Sequence, residues 1–187
     1  LGMRHPEQPA WADPERVHLQ AYDAADPRAE ANWTEAALRR FGRIDAIVAN
    51  AGIMIPKNVI EAEDEDLDAM LAVNVKAPRR LAKAAWQALS ASGSGRMIVI
   101  ASLSGKRVKS SRAGLYSISK YAAVALAHGI RHEGFERGIR ATAICPGFVA
   151  TDMALGLTDR SAEKMTSPHD LARIIAMPME LPNEASV

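Results

Sequence analysis

Tyr116 and Lys120 stand four residues apart. In a helix that spacing puts both side chains on one face, about one turn apart. A tyrosine hydroxyl titrates near ~10 in water, too high to exchange protons readily at neutral pH. A neighbouring ammonium favours the phenolate and lowers that value, so the pair has the makings of a tuned general acid/base. Alone it is weak. Tyr-x-x-x-Lys turns up by chance in roughly a third of chains this long at ordinary composition, and a solvated surface pair is the plainer explanation.

Other residues narrow the choice. Ser102 follows the apolar run Met97 to Ala101 and can project toward that helix from the end of a strand. Asn74 falls inside a helical stretch despite its poor helix propensity. Pro78, one turn later, lacks the N–H that would engage the Asn74 carbonyl. That carbonyl is left for water, or the proline is simply a tolerated kink.

The elements around these residues alternate. Residues 16–22 predict a short strand ending at Asp23, and Pro27 opens a helix to about Phe41 that Gly42 stops. Residues 44–49, apolar but for Asp45, run into Asn50-Ala51-Gly52, as a strand buried on both faces does. The acids of 61–68 suit the dipole of a long helix running to about Leu89, and the run lacks the central glycine of a calcium loop. Residues 97–101 give another strand, 116–137 a helix, and 139–145 a strand closed by Pro146-Gly147. Residues 148–166 predict a lid. Ser167 and Pro168 cap a last helix to about Glu180, with Pro178 fraying or kinking its end. Alternating strands and helices predict one α/β domain over 1–187, a doubly wound parallel sheet with right-handed crossovers. Ligands bind such sheets beyond the carboxyl ends of the strands. Asp23, Asn50-Ala51-Gly52, Ser102 and Pro146-Gly147 all fall at such ends.

Composition bounds the function. Of 187 residues, 48% are apolar and 24% charged, with a net charge of +1. No strong field recruits nucleic acid or an anionic membrane. Cys145 is the single cysteine, which excludes an internal disulfide and fits a reducing cytosol. It reads as a small buried hydrophobe within a strand, and the Met and Trp residues read as core or interface. No apolar run is long enough to span a bilayer. His128 and His132 share a helix face, yet no third ligand of matching spacing appears and no glutamate follows His128, as a metal site of this type needs.

Taken together, Asn50-Ala51-Gly52, Asn74, Ser102, Tyr116-x-x-x-Lys120 and Pro146-Gly147-x-x-x-Thr151 occur in an order and spacing that resemble the short-chain dehydrogenase/reductase family. The match covers about residues 16–153, and the motifs are similar to those of the oxoacyl-carrier-protein reductases. The resemblance implies a Rossmann-type fold and an oxidoreductase moving hydride between NADP or NAD and a small carbonyl/alcohol substrate. Tyr116 would pass the proton at the substrate oxygen. Lys120 would lower the tyrosine pKa and hold the nicotinamide ribose. Ser102 would orient the carbonyl, in preference to Ser104, because Gly105 follows at the family's distance. The Asn74 carbonyl would bind a relay water. Asn50, Ala51 and Gly52 would line the adenosine side with Asp23 beside the adenine, while Pro146, Gly147, Val149 and Thr151 would hold the nicotinamide end. The helices of Asn74 and Tyr116 would form a homodimer or homotetramer interface in the cytoplasm.

The front of the chain departs from the pattern. No glycine-rich phosphate-binding turn precedes Asp23, so the resemblance implies that the family's first strand, first helix and most of its second strand are missing, as is a last strand after Val187. Leu1 to Arg4 would be the tail of the second strand. Arg4, with no acid ahead of it, leans toward the 2′-phosphate of NADP, though an exposed loop arginine serves nearly as well. Two alternatives stay open: a nicotinamide-binding sensor without turnover, which typically lacks the tyrosine or lysine, and a truncated remnant that binds no nucleotide.

Overall fold

The computed structural model describes residues 1–185. Its strands are all parallel and fall into two groups. Strands β1 (Gly2–Met3) and β2 (Gln20–Ala21) pair with each other, and β3 (Ala46–Ala49), β4 (Arg96–Ile100) and β5 (Arg140–Ile144) form a sheet in that order. Parallel strands need helical crossovers. These are α1 (Ala29–Phe41), α2 (Asp64–Leu71) running through a π turn into α3 (Ala77–Ala91), and α4 (Gly114–Gly134). Beyond β5 come α5 (Asp152–Leu155) and α6 (Pro168–Glu180). The α/β parallel architecture is the one expected, and Leu1 to Arg4 does supply a strand. The expected strand after Val187 lies outside the described residues.

The period of two along the strands builds the core. Ile47 and Ala49 of β3, Met97 and Val99 of β4 with Ala101 beyond it, and Ala141 of β5 face the same way. They pack against Leu81, Ala82, Ala85 and Leu89 of α3 and Ala123, Val124, Ala127 and Ile130 of α4. Leu89 is wholly buried, so truncation to alanine there costs about 2–5 kcal/mol. Small residues let α4 lie close to the sheet. A second cluster, Tyr22, Ala24, Ala29 and Ala77, seats α1 beside α3, with Trp33 packed against Tyr22 at 5.0 Å between ring centroids and a 42° tilt.

Several boundaries differ from expectation. The strand predicted over 16–22 shrinks to Gln20–Ala21. Asp13 explains this: its carbonyl accepts the N–H groups of Arg16 and Val17, and its carboxylate takes that of Glu15 at 2.9 Å. An Asx turn consumes donors that a strand would need. The long helix is not uniform either. It starts at Asp64 with a capping box between Glu63 and Asp66, and over Ala72–Lys76 it widens to a π turn in which the Ala77 N–H reaches the Ala72 carbonyl. Pro78 then enters the first turn of α3, where a missing N–H costs little. Trp11 is 73% exposed and lies outside the core, whereas Trp33 and Trp86 pack against it. Cys145 sits just past β5 and is only half-buried. Pro178 is buried within α6, which continues to Glu180.

Candidate active site at the carboxyl ends of β3, β4 and β5

Register brings the site together. Ala49 pairs with Val99 and Val99 with Ala143, so the carboxyl ends of β3, β4 and β5 lie level. Asn50, Ser102 and Pro146 therefore leave the sheet along one edge. The Leu103 N–H donates to the Pro146 carbonyl at 2.8 Å, tying two of those exits to each other.

Ser102 is fully extended and accepts the Ser104 N–H at 3.1 Å, while Ser104 belongs to the short 3-10 turn Leu103–Gly105. The Ser102 hydroxyl lies close enough to that of Tyr116 to favour the ionised tyrosine. Ser102 rather than Ser104 thus faces the tyrosine. Gly105 has a packing reason: a Cβ there would stand 2.6 Å from the Lys120 carbonyl oxygen. Only glycine lets this turn rest on the Lys120 turn of α4.

Tyr116 lies in the first turn of α4 and Lys120 one turn further, 9% and 4% exposed. Lys120 Nζ donates to the Ile100 carbonyl at 2.9 Å and lies 5.6 Å from the Tyr116 ring centre. Burial lowers the lysine pKa to about 8, offset in part by nearby Cys145. Burial also raises the tyrosine pKa, and the nearby Ser102 hydroxyl pulls it back down. Desolvation is the first cause for both groups, and Lys120 is not among the causes of the tyrosine shift; its ammonium donates to the Ile100 carbonyl.

Asn74 is 2% exposed, and its side chain is fully used. Its Oδ1 accepts the Ile53 N–H at 2.9 Å, and its Nδ2 donates to the Ile53 carbonyl and to Ser119 Oγ, both at 2.9 Å. Ser119 in turn donates to the Tyr116 carbonyl at 2.8 Å. One asparagine therefore joins the segment after β3 to the helix carrying Tyr116. Sequence reasoning assigned Asn74 through its carbonyl and missed this side-chain network. It also missed Ser119, whose position three residues after Tyr116, on the same helix face, was the available signal.

The remaining candidates are more open. Asn50 and Ala51 are exposed beyond β3, and Gly52 is half-buried. A Cβ on Gly52 would meet Asn74 Oδ1 at 3.4 Å and Lys120 Nζ at 3.5 Å. Gly147 and Thr151 are exposed, Pro146 and Val149 half-buried. The segment after β5 is closed at its base, where Val149 and Thr166 form a parallel bridge. Arg4 and Asp23, both exposed, follow the carboxyl ends of the paired strands β1 and β2. His128 and His132 are also exposed, as expected, and line a hollow with Lys106 and Arg131.

The lysine tests the fit to a cofactor. Its ammonium has three donors, and the Ile100 carbonyl is its hydrogen-bond acceptor among the described residues. A buried cation with donors to spare, beside an open glycine, suits the vicinal hydroxyls of a ribose. No described helix is long and apolar enough to cross a membrane.

Comparison with known proteins identifies the family and the fold. The family model for short chain dehydrogenase matches residues 6–162. The agropine synthesis reductase of Rhizobium rhizogenes is 38% identical over 175 residues, covering 92% of this chain and 40% of the relative. An uncharacterized oxidoreductase of Staphylococcus saprophyticus is 34% identical over 171 residues, 91% of this chain and 72% of its own length. The chain therefore spans well under half of the agropine synthesis reductases it matches. Among solved structures, an alcohol dehydrogenase from the archaeon Thermococcus sibiricus complexed with 5-hydroxy-NADP aligns with a TM-score of 0.81 at 26% identity, covering 92% of this chain and 72% of that one. ElxO with NADP bound aligns at 0.83 and 22% identity, covering 92% and 75%, a likeness of fold. The ordered motifs, their meeting at one sheet edge and these matches have one outcome: the chain belongs to the short-chain dehydrogenase family.

Proposed function

We propose that the protein is an NADP- or NAD-dependent oxidoreductase acting on a small carbonyl/alcohol substrate, with Tyr116 as its general acid/base. The observation that carries this is the Ser102–Tyr116 hydroxyl pair held beside a buried ammonium with unused donors. Bound nicotinamide dinucleotide supplies or accepts the hydride. Tyr116 gives its proton to the substrate oxygen in reduction and removes it in oxidation. Ser102 hydrogen-bonds the same oxygen and sets its angle. Lys120 holds the ribose hydroxyls with the donors that Ile100 leaves over. The Asn74 carbonyl, which Pro78 cannot engage, accepts a water that links Lys120 to solvent. Asn50, Ala51, Gly52 and Asp23 line the adenosine side, and Pro146, Gly147, Val149 and Thr151 the nicotinamide end. Residues 148–166 close over the substrate, and the outer faces of α3 and α4 pair with another copy. Arg4 leans the preference toward NADP.

The test is oxidation of NADPH and NADH by the intact protein with a panel of ketones, repeated with Tyr116→Phe. The expected outcome is turnover that falls about 10²–10⁴-fold in the variant while cofactor binding stays within a few-fold. Cofactor binding without turnover on any substrate, unchanged in the variant, would instead identify a sensor.

A further inference from the structure

A buried ion pair ties α1 and α3 to the turn that follows β2. Glu30, on α1, is 1% exposed, at a position where an amphipathic helix ordinarily buries an apolar side chain. Arg80, on α3, grips it with a two-pronged contact: Nε to Oε2 at 2.7 Å and Nη2 to Oε1 at 3.1 Å. The Tyr22 hydroxyl donates to the same carboxylate at 3.1 Å. Arg80 Nη2 also donates to the Ala24 carbonyl at 2.9 Å. Thus the guanidinium reaches past its carboxylate to the backbone beside Asp23.

Stability alone is a poor reason for such a pair. Removing both charges from water is expensive, and apolar residues of similar volume often serve as well or better. What an apolar pair cannot do is hold the Ala24 carbonyl. Besides the packing of the Ala24 side chain among Tyr22, Ala29 and Ala77, the turn has only local hydrogen bonds: Asp23 Oδ1 accepts the Ala25 N–H at 2.9 Å, and the Asp23 carbonyl accepts the Asp26 N–H at 3.0 Å. Asp23 itself is exposed at the carboxyl end of β2, where parallel sheets bind their ligands. We propose that Glu30 and Arg80 are positioning residues that hold the Asp23–Ala24 turn in shape for the adenosine end of the dinucleotide. This rests on the cofactor assignment made above.

The experiment measures NADPH, 2′,5′-ADP and nicotinamide mononucleotide binding to the intact protein by fluorescence and calorimetry. The variants are Arg80→Met and the double variant Glu30→Leu with Arg80→Met. The single variant strands a buried carboxylate and lowers the melting temperature. The double variant restores the melting temperature by replacing the pair with apolar bulk. In it, NADPH and 2′,5′-ADP still bind at least about fivefold more weakly than in the parent, because the turn is no longer pre-organised. Nicotinamide mononucleotide binds as before, and KM for NADPH rises more than kcat falls. Recovery of parental affinity together with stability in the double variant would overturn the proposal and leave the pair a structural strut. A parent protein that binds neither NADPH nor NADH would overturn the cofactor assignment, and the proposal with it.

Discussion

The two ends of the candidate site are built differently. Around Tyr116 most polar groups are buried and hydrogen-bonded: Asn74 to Ile53 and Ser119, Ser119 to the Tyr116 backbone, and Lys120 to Ile100 with donors to spare, while Ser102 is half-buried. The candidate cofactor contacts Arg4, Asp23, Asn50, Ala51, Gly147 and Thr151 are all exposed. On the proposed function, the difference would follow from what each end does. Proton transfer depends on sub-ångström placement, and a fixed network supplies it before substrate arrives. A dinucleotide is long and brings its own hydrogen-bonding groups, so a rim of accessible backbone and small side chains suffices. The chemical end is therefore rigid by hydrogen bonding, and the cofactor end by the shape of the turns beneath it.

This contrast predicts that substitutions at the chemical end cost stability as well as activity. Asn74→Ala should have the largest effect, because it leaves the Ile53 N–H and carbonyl and Ser119 without their partner. A loss of about 2–4 kcal/mol is expected by denaturant unfolding, together with reduced turnover. Unchanged stability would mean that the network is not what holds the two segments together.

Lys120 should reveal itself through pH. Burial lowers its folded pKa to about 8, below the 10.5 of a free lysine. Between those values the unfolded chain binds the proton that the folded protein has released, so stability without cofactor rises with pH. The expected rise is on the order of 2–3 kcal/mol. Tyr116, shifted upward by burial, opposes it only at the alkaline end, where unfolded tyrosine ionises first. Thermal melts from pH 7 to 10.5 should show the rise in the parent and lose it in Lys120→Met.

Gly105→Ala should be next. The added Cβ meets the Lys120 backbone at 2.6 Å, and the resulting shift should cost about 1–3 kcal/mol. Since the turn carries Ser102, kcat should fall more than KM rises. At the open end, Arg4→Ala should leave the melting temperature unchanged within about 0.5 kcal/mol of stability. Its expected effect is a few-fold rise in KM for NADPH with little change for NADH, the size of one exposed charge contact. A large loss of stability in this variant would erase the distinction between the two ends.

Much of this was legible in the residues themselves. Apolar runs closed by Asn50, Ser102 and Pro146 marked strand ends, and the Tyr116–Lys120 spacing marked one helix face, because period and punctuation are local properties. Gly42 and Ser167 ended and began helices for equally local reasons. Three things were decided only in three dimensions. The direction of the Tyr116 shift depends on burial and on where the Lys120 ammonium points, and spacing along the chain specifies neither. The work of the Asn74 side chain depends on Ile53 and Ser119, which are distant in sequence and meet only when α4 packs against the π turn. The pairing of Glu30 with Arg80 needs α1 and α3 side by side. Local pattern sets which elements form, whereas the protonation and partners of a buried group are set by its neighbours, and the sheet register and helix packing choose those.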